Sequence, residues 1–266
     1  MKINFSKYQG AGNDFIMIDN RSHIFKNYIN QASVISFLCH RRFGIGADGL
    51  ILINKSNDGD FKMVYFNSDG KEGSMCGNGG RCCAAFAHDL GIIKSKTVFS
   101  ATDGFHQAQI IAVNKNETIV KLQMCDVSNI IKEEKYFIIN TGSPHYVTFT
   151  KNVKDMDVFT EGKKIRYSKA FKKEGINVNF AEPLDGHIFV RTYERGVEDE
   201  TLSCGTGSTA TAIAANELHL LKGNTCNLIT LGGNLSVYFN KINKTQYTDI
   251  WLQGPATCVY KGEISI

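Results

Sequence analysis

The sequence lacks the long hydrophobic runs and the strong charge bias that mark membrane proteins and nucleic-acid-binding proteins. No segment approaches the roughly 20 apolar residues of a membrane-spanning helix. The first residues, from Met1 to Lys7, contain no apolar stretch typical of an export signal. The formal net charge is only +4 and the lysines are scattered, which argues against nucleic acid and membrane surfaces as partners. We therefore expect a cytoplasmic protein.

The eight cysteines do not follow the pattern of a disulfide scaffold or a metal site. There is no Cys-x-x-Cys pair in the 266 residues, and without an export signal we expect reduced thiols. The spacing of Cys76, Cys82, Cys83 and His88 fits no known metal-ligand pattern, so we expect no metal. Six cysteines are interpreted as small buried apolar residues: Cys39, Cys82, Cys83, Cys125, Cys226 and Cys258.

The glycine motifs of common nucleotide-binding and hydrolytic enzymes are also missing. The chain has no Gly-x-x-x-x-Gly-Lys-Ser/Thr loop and no Gly-x-Ser-x-Gly turn. Gly44, Gly46 and Gly49 match Gly-x-Gly-x-x-Gly, but the run that follows, Leu50–Ile53, predicts a strand where a dinucleotide site needs a helix. Phosphate transfer, dinucleotide binding and serine hydrolysis therefore have no support in the sequence.

The sequence does contain an internal repeat. Cys76-Gly77-Asn78-Gly79 recurs 128 residues later as Cys204-Gly205-Thr206-Gly207. Weaker matches follow in the same order at nearly the same offset: Asp58-Gly59-Asp60 with Asp185-Gly186-His187, Gly12-Asn13-Asp14 with Gly142-Ser143-Pro144, and Gly44-Ile45-Gly46 with Gly175-Ile176-Asn177. A common order at nearly constant offset indicates a tandem duplication.

Local patterning predicts many strands and one clear helix in each half. The strand-like runs are rich in β-branched and aromatic residues, and their Gly, Asn or Asp turns favour antiparallel pairing: Phe15–Asp19, Leu50–Ile53, Phe61–Phe66, Thr118–Leu122, Tyr136–Ile139, His187–Tyr193, Asn234–Phe239 and Asp249–Gln253. The helices are predicted at about Gly80–Leu90, ended by Gly91, and at about Ser208–Leu221, ended by Gly223. Within them, Cys82–Ala87 and Ala210–Ala215 are small or apolar on all faces, as buried helices are.

We therefore predict an α+β fold of two pseudo-symmetric domains. Each domain is expected to be a mainly antiparallel, twisted sheet wrapped around a central helix. The first comprises residues 1–124, completed by the C-terminal strand 256–266, and the second comprises residues 125–255.

Cys76 and Cys204 stand directly before Gly-x-Gly and a predicted helix, and this position has chemical consequences. The glycines leave backbone amides uncovered, and a helix start adds unpaired donors and about half a unit of positive charge. A thiol there has a lowered pKa, and the same amides suit a carboxylate. If the repeat brings the two helix starts face to face, the sulfurs flank the carbon beside that carboxylate. One thiolate can then remove a proton while the other thiol delivers one to the opposite face, which inverts the carbon.

The segments that carry this pattern resemble the diaminopimelate epimerases. They span nearly the whole chain in the family's order: Gly10–Phe15, Phe66–Gly70, Cys76–Cys82, Gly142–His145, Asn177–Phe180, Tyr193–Gly196 and Cys204–Gly207. The resemblance implies interconversion of LL- and meso-diaminopimelate in lysine and peptidoglycan precursor synthesis, without pyridoxal phosphate, metal or any other cofactor. It also implies a homodimer of two-domain subunits, with the active site between the domains.

The resemblance further implies a role for each matching residue. Cys76 and Cys204 would be the acid–base pair, with His145 and Glu194 near the sulfurs to adjust their pKa values. The residues implied to hold the reacting carboxylate follow the cysteines: Gly77, Asn78, Gly205 and Thr206. Those implied to bind substrate, largely its distal end, are Asn13, Asn67, Asn177, Glu194 and Arg195. Two positions depart from some members, because Gly49 stands where Gln can occur and Ser143 where Asn can occur; both bear on distal-end specificity.

Other functions remain open at this point. The nearest alternatives share the fold: a proline, hydroxyproline or histidine racemase, or a phenazine-type isomerase. Proline-racemase relatives typically carry His after the first Cys-Gly, where this chain has Asn78, and phenazine-type members need not keep both cysteines. A non-catalytic amino-acid binding protein would be expected to lose a sulfur, and a thiol redox protein has no Cys-x-x-Cys to support it.

Overall fold

The computed structural model describes residues 2–25, 27–28, 31–73 and 75–266. The chain divides into two compact units: unit 1 comprises Met1–Leu122 and Gly254–Ile266, and unit 2 comprises Gln123–Gln253. The boundaries expected from the sequence stood after residues 124 and 255. Strand β16 (Tyr247–Ser265) contributes its first residues to unit 2 and the remainder to unit 1.

Unit 1 is a sheet that returns to its first strand. Along the chain its elements are β1 (Lys2–Gly10), β2 (Asn13–Asp19), α1 (Ala32–Cys39), β3 (Gly49–Asn54), β4 (Phe61–Asn67), α2 (Gly77–Asp89), β5 (Lys96–Ala101), β6 (Gly104–Asn114) and β7 (Glu117–Gln123). The strands are neighbours in that order. The later part of β16 pairs with β7 and then with β1, so the C-terminal strand completes the sheet.

Unit 2 repeats this plan. Its elements are β8 (Ile130–Lys132), β9 (Phe137–Asn140), β10 (Pro144–Phe149), a short 3-10 turn (Val153–Asp155), α3 (Val158–Arg166), β11 (Asn177–Leu184), β12 (His187–Glu194), β13 (Asp199–Thr201), α4 (Gly205–Glu217), β14 (Thr225–Thr230) and β15 (Gly233–Lys241), followed by the first part of β16. Apart from β13, which pairs with β12, its strands are neighbours in the order β8-β9-β10-β11-β12-β14-β15-β16.

Each α-helix connects two strands that pair in parallel, whereas the sequence favoured antiparallel pairing. Helices α1 and α2 join the parallel pairs β2–β3 and β4–β5, while α3 and α4 join β10–β11 and β12–β14. Parallel neighbours need a crossover connection, which a helix supplies. The α+β duplication with one central helix in each half is therefore confirmed, with mostly antiparallel pairing, and each half contains a second helix that the sequence did not predict, α1 or α3.

The two central helices are α2 and α4, and each begins immediately after a cysteine. Cys76 is the N-cap of α2 and Cys204 is the N-cap of α4, so the predicted starts at Gly80 and Ser208 were three residues late. Their small residues let them lie buried, Gly77 to Ala87 in α2 without interruption. A helix whose residues are small or apolar on every face is expected to be buried on every side.

The two helices also end in the same way, although with different residues. Gly91 adopts a left-handed conformation (φ +70°), and the Ile92 amide donates to the Ala87 carbonyl at 2.9 Å. In unit 2, His219 (φ +57°) takes the equivalent place, and the Leu220 amide donates to Ala215 at 3.0 Å. Both are the hydrogen-bond pattern of a glycine-type C-cap. Gly91 is confirmed as the end of α2, but the predicted end of α4 at Gly223 is wrong.

All eight cysteines are free thiols. Four of the six interpreted as buried are buried: Cys39, Cys82, Cys83 and Cys226. The interpretation is wrong for Cys125, which is exposed, and for Cys258, which is half-buried and hydrogen-bonded to Tyr8. Among the described residues, no group of three His, Cys, Asp or Glu side chains is placed to hold a metal. In the same part of the chain, no helix has both the length and the apolar character needed to span a bilayer.

Candidate active site

The predicted site residues fall into two groups, one in each unit. We call the predicted site residues of unit 1 the first half-site and those of unit 2 the second half-site. The first contains Asn13, Asn67, Cys76, Gly77 and Asn78, and the second contains His145, Asn177, Glu194, Arg195, Cys204, Gly205 and Thr206.

Both cysteines have an extended backbone that places the sulfur at the start of the first helical turn. The Gly80 amide donates to the Cys76 carbonyl at 2.7 Å, and the Ser208 amide donates to the Cys204 carbonyl at 2.9 Å. The amides of the first turn have no carbonyl acceptor within their own helix. Each half-site therefore presents a thiol beside a helix start that favours negative charge.

In the first half-site, Asn13 contacts both the sulfur and the loop that follows it. Asn13 Oδ1 lies 3.6 Å from Cys76 Sγ and 3.4 Å from Asn78 Nδ2. Asn13 Nδ2 donates to Asp48 Oδ2 at 2.7 Å. Because a carboxylate only accepts, Asp48 fixes the Asn13 amide with its oxygen toward Cys76. The protonated Cys76 thiol can thus donate to Asn13.

A four-residue ion-pair cluster holds Asp48 and the β1–β2 turn in place. Lys7 Nζ lies 2.8 Å from Asp14, and Arg41 Nη2 lies 2.7 Å from both Asp14 and Asp48. Burial disfavours the Asp14 carboxylate, but hydrogen bonds from Arg41 and Lys7 outweigh it and hold the pKa of Asp14 well below its usual range. The cluster therefore carries two full carboxylates and two cations.

Arg81 is a functional candidate that the sequence reasoning missed. Its side chain is 0% exposed, its Nη1 donates to the Gly77 carbonyl at 3.2 Å, and its Nη2 donates to Asn78 Oδ1 at 2.9 Å. A signal was present, because Arg81 is the only charged residue between Gly77 and Ala87. Asn78 is itself only 2% exposed, so its side chain supports the loop while its backbone lies at the helix start.

Asn67 ends strand β4, and its strand partner on β3 is Gly49. A Cβ on Gly49 would lie 2.5 Å from both Tyr65 Cε2 and the Phe66 carbonyl oxygen. The Tyr65 ring thus fills the space that a longer side chain at residue 49 would need. Gly49, which stands where some related epimerases have Gln, therefore leaves room for the Tyr65 ring.

In the second half-site, Thr206 contacts the sulfur and is itself anchored. Cys204 Sγ lies 3.4 Å from Thr206 Oγ1. The Thr206 carbonyl accepts from Thr141 Oγ1 at 2.9 Å. Cys204 is 8% exposed, so its thiol is held in a defined, largely enclosed position.

His145 is fully buried and its protonation is set by its neighbours. Asn179 Oδ1 accepts from Thr192 Oγ1 at 2.9 Å, so Asn179 Nδ2 is the group that donates to His145 Nδ1 at 3.1 Å. The ring proton therefore lies on Nε2, which donates to Ser143 Oγ at 3.1 Å. Burial, together with the Arg195 cation, lowers the pKa of His145 to about 3. His145 is therefore neutral near pH 7.

Asn177 connects Ser143 to Arg195. Asn177 Oδ1 accepts from the Arg195 backbone amide at 2.9 Å, and Asn177 Nδ2 donates to Ser143 Oγ at 2.9 Å. Arg195 Nη1 donates to the Glu174 carbonyl at 3.1 Å. Ser143 Oγ accepts from both His145 and Asn177, which leaves its own proton for another acceptor. The structure thus brings Ser143, His145, Asn177 and Arg195 together, with Glu194 as the last residue of β12.

The two half-sites are equivalent in topology but not in chemistry. Gly79 packs against Phe15 and Ile51, while Gly207 packs against His145 and Asn179. In the strand ladders Phe15 pairs with Gly49 just as His145 pairs with Asn177, and Leu50 pairs with Phe66 just as Val178 pairs with Tyr193. The apolar pair Phe15 and Ile51 beneath the start of α2 therefore corresponds to the polar pair His145 and Asn179 beneath the start of α4.

Comparison with known proteins points to one family. The family model described as diaminopimelate epimerase matches residues 5–130 and 137–259. A diaminopimelate epimerase of Flavobacterium psychrophilum is 52% identical over 97% of this chain and 98% of its own, and one of Chlorobaculum tepidum is 40% identical over 97% and 99%. A Bacillus anthracis phenazine biosynthesis protein of the PhzF family has a TM-score of 0.79 over 100% of both chains at 14% identity, a likeness in fold alone.

Proposed function

Because the chain belongs to the diaminopimelate epimerase family, we propose that it is a cofactor-independent epimerase that interconverts LL- and meso-diaminopimelate. The observation that carries the mechanism is that Cys76 and Cys204 cap equivalent helices of a duplicated fold. Two cysteines at equivalent positions can serve as base and acid in one direction of the reaction and exchange these roles in the other.

The reaction needs only the two sulfurs and an acidic C–H bond. One thiolate accepts the α-proton, and the electron pair left on carbon is delocalised into the neighbouring carboxylate. The other thiol then donates its proton to the opposite face. The carbon is inverted, and the first sulfur ends protonated and the second ionised. No electron is gained or lost, so no redox cofactor is required.

The two helix starts would stabilise the charge that develops during this reaction. Backbone amides of Gly77 and Asn78 from one half-site, and of Gly205 and Thr206 from the other, are proposed to bind the reacting carboxylate. Negative charge grows on that carboxylate as the proton leaves. Preorganised donors therefore favour the transition state more than the substrate.

The distal amino-acid end is proposed to bind the polar groups on the strand ends. Arg195 can grip the distal carboxylate with two parallel N–H groups. Asn13, Asn67, Asn177 and Glu194 supply acceptors for the ammonium group. This arrangement favours a substrate that carries a second amino-acid end over proline or histidine, which have none.

His145 and Glu194 are proposed to tune the sulfurs, and the state of His145 limits how it can do so. A neutral imidazole does not stabilise a thiolate by charge. Its contacts with Asn179 and Ser143 support an orienting role, since Gly207 of the Cys204 loop packs directly against the ring. Glu194 follows Tyr193 at the end of β12 and would act by its charge.

We also propose a metabolic role, a cellular location and an oligomeric state for this protein. A diaminopimelate epimerase serves lysine and peptidoglycan precursor synthesis, which takes place in the cytoplasm. We expect a homodimer, as the family resemblance implies.

The direct test incubates the reduced protein separately with LL-diaminopimelate, proline and histidine and follows stereochemistry. Only diaminopimelate should be epimerised. Cys76→Ala and Cys204→Ala should each reduce the rate by at least about 10²–10⁴-fold, whereas Cys83→Ala, a buried cysteine in the same helix, should retain activity. Turnover of proline with inert diaminopimelate would replace this proposal with that of a racemase.

A further inference from the structure

We propose that Arg81 is a positioning residue that makes Cys76 ionise more readily than Cys204, so that the two halves of the site are electrostatically unequal. The inference rests on the proposed function only in taking these two cysteines as the reacting pair.

Arg81 lies directly beneath the Cys76 loop. Its guanidinium donates to the Gly77 carbonyl at 3.2 Å and to Asn78 Oδ1 at 2.9 Å, and these residues are the two that follow the sulfur. Arg81 is fully buried, and its Nε has no hydrogen-bond partner among the residues that the structure describes. Burial lowers the pKa of Arg81, while negative charge on Cys82 or Cys76 would raise it. Asn78 Nδ2 donates in turn to Asn13 Oδ1, which also contacts Cys76 Sγ, so a short chain of polar contacts connects the cation to the sulfur.

The charge of Arg81 is not cancelled locally. Within the described ranges, no salt bridge joins Arg81 to a carboxylate. The cluster of Lys7, Asp14, Arg41 and Asp48, which is connected to Cys76 through Asn13, contains two cations and two carboxylates that balance each other. A buried cation disfavours its own charge unless an anion lies nearby. A Cys76 thiolate is the anion that this position can gain.

Two further groups near Cys76 affect its ionisation less. Asn13 Oδ1, at 3.6 Å, favours the protonated thiol, but a thiol is a weak hydrogen-bond donor. Cys82 is fully buried, and burial raises its pKa to about 12, so it stays neutral. Of Asn13, Cys82 and Arg81, only Arg81 carries a charge, so it is the group of the three with the largest effect on the Cys76 thiolate.

Position 81 has no charged counterpart in α4. The charged residues of the second half-site, Glu194 and Arg195, lie at the end of β12 and directly after it; they are opposite in charge, and Arg195 is exposed. The residue at the equivalent place in α4 is Thr209, which is uncharged and donates from Oγ1 to the Gly205 carbonyl at 2.9 Å. The polar pair beneath Cys204 is His145 with Asn179, and burial keeps His145 neutral. The hydrogen bond to the loop carbonyl is thus kept in both units, but its donor is a charged side chain only in α2.

The test measures how alkylation of each sulfur by iodoacetamide depends on pH, without substrate. Cys76 is followed in a Cys204→Ser background and Cys204 in a Cys76→Ser background, by mass mapping of the modified peptide. Cys76 should show the lower pH midpoint. This comparison needs no change at Arg81, and an equal or higher midpoint for Cys76 overturns the proposal.

Substitution then assigns the difference to Arg81. In Arg81→Met the Cys76 midpoint should rise by about 1–3 pH units, the usual effect of losing a nearby opposite charge. Arg81→Lys, which keeps the charge but not the fork, should restore much of the shift. Thr209→Val, the matched change in α4, should leave the Cys76 midpoint where it was. A folded Arg81→Met protein with an unchanged midpoint would show that Arg81 only supports the loop.

These measurements remain separate from the proposed reaction. Because alkylation is followed without substrate, a protein that failed to epimerise diaminopimelate could still show the Arg81 effect. Conversely, an active enzyme with equal midpoints would refute the inference about Arg81 and leave the epimerase proposal intact.

Discussion

The backbone amide of Arg195 donates a hydrogen bond to the side-chain oxygen of Asn177, at 2.9 Å. Asn177 in turn donates to Ser143 and to the Pro144 carbonyl. Its single amide therefore fixes the backbone from which the Arg195 guanidinium extends. The backbone at Arg195 is thus tied to the first residue of strand β11.

Arg195→Ala should lower kcat/KM for LL-diaminopimelate by a factor that corresponds to about 2–4 kcal/mol of transition-state binding free energy, the scale of a broken charged contact. Arg195→Lys should recover only part of the loss, because a point charge cannot bind a carboxylate in two parallel bonds. Arg21→Ala, which removes a half-buried arginine paired with Asp19 in unit 1, serves as the control. Near-native kcat/KM in Arg195→Ala would remove this residue from the site.

Gly207→Ala should damage the second half-site more than Gly79→Ala damages the first. A Cβ at residue 207 would lie 2.3 Å from Asn179 Oδ1, whereas one at residue 79 would lie 3.2 Å from Ile51 Cδ1, the end of a flexible side chain. We expect Gly207→Ala to lose about 1–3 kcal/mol of unfolding free energy, as overpacked cores do, together with activity. Chemical denaturation of both variants checks this, and equal losses would contradict it.

His145 should make the protein less stable in mild acid. Its pKa is about 3 in the folded state, below the ordinary value of 6.5, so the unfolded chain binds the additional proton. The stabilising contribution is complete above about pH 7 and falls as the pH drops from there toward 3. Between pH 7 and pH 5 this group alone should remove about 2 kcal/mol of unfolding free energy.

His145→Gln provides the comparison for that titration. The variant should lose stability less steeply than the wild type over the same pH interval, because glutamine does not titrate. The acid response of Asp14 and the other carboxylates is common to both proteins and cancels in the difference. Parallel stability curves for the two proteins would mean that His145 does not stay neutral when buried.

Mild oxidation should inactivate the enzyme reversibly through a Cys76–Cys204 disulfide. If the two sulfurs flank one carbon, as proposed, they approach each other closely when no substrate separates them. Thiols with a low pKa also oxidise most readily. A thiol reductant should restore activity, and bound substrate should slow the loss. Peptide mapping of the oxidised, inactive protein should find these two cysteines linked; finding them unlinked would contradict a shared site.

The features that could be predicted from the sequence are those with local signals. Cys-Gly-x-Gly followed by small residues indicated the two central helices, and the repeat of that motif indicated the duplication. Helix α3 also carried local signals, since Asp157 caps it and lysines stand in its last turn. The central Gly162 obscured them, because its role is tertiary: a Cβ there would lie 2.4 Å from Tyr193.

Other features depend on contacts that no local pattern records. Helix α1 contains β-branched and aromatic residues, with no acidic residue in its first turn and no side-chain cap. An arginine is usually exposed, so the burial of Arg81 follows only from the packing of α2 within its sheet. The pairing of Asn179 with His145 likewise depends on β10 and β11 lying side by side.

The most direct measurement of the two-thiol mechanism is the isotope content of the first product formed in D₂O. With a base on one face and an acid on the other, the proton delivered comes from a thiol that has exchanged with solvent. Early product should therefore carry deuterium at the inverted α-carbon, while recovered substrate remains protiated. Early product that retains its original proton would show a single base serving both faces, and the account given for Cys76 and Cys204 would be wrong.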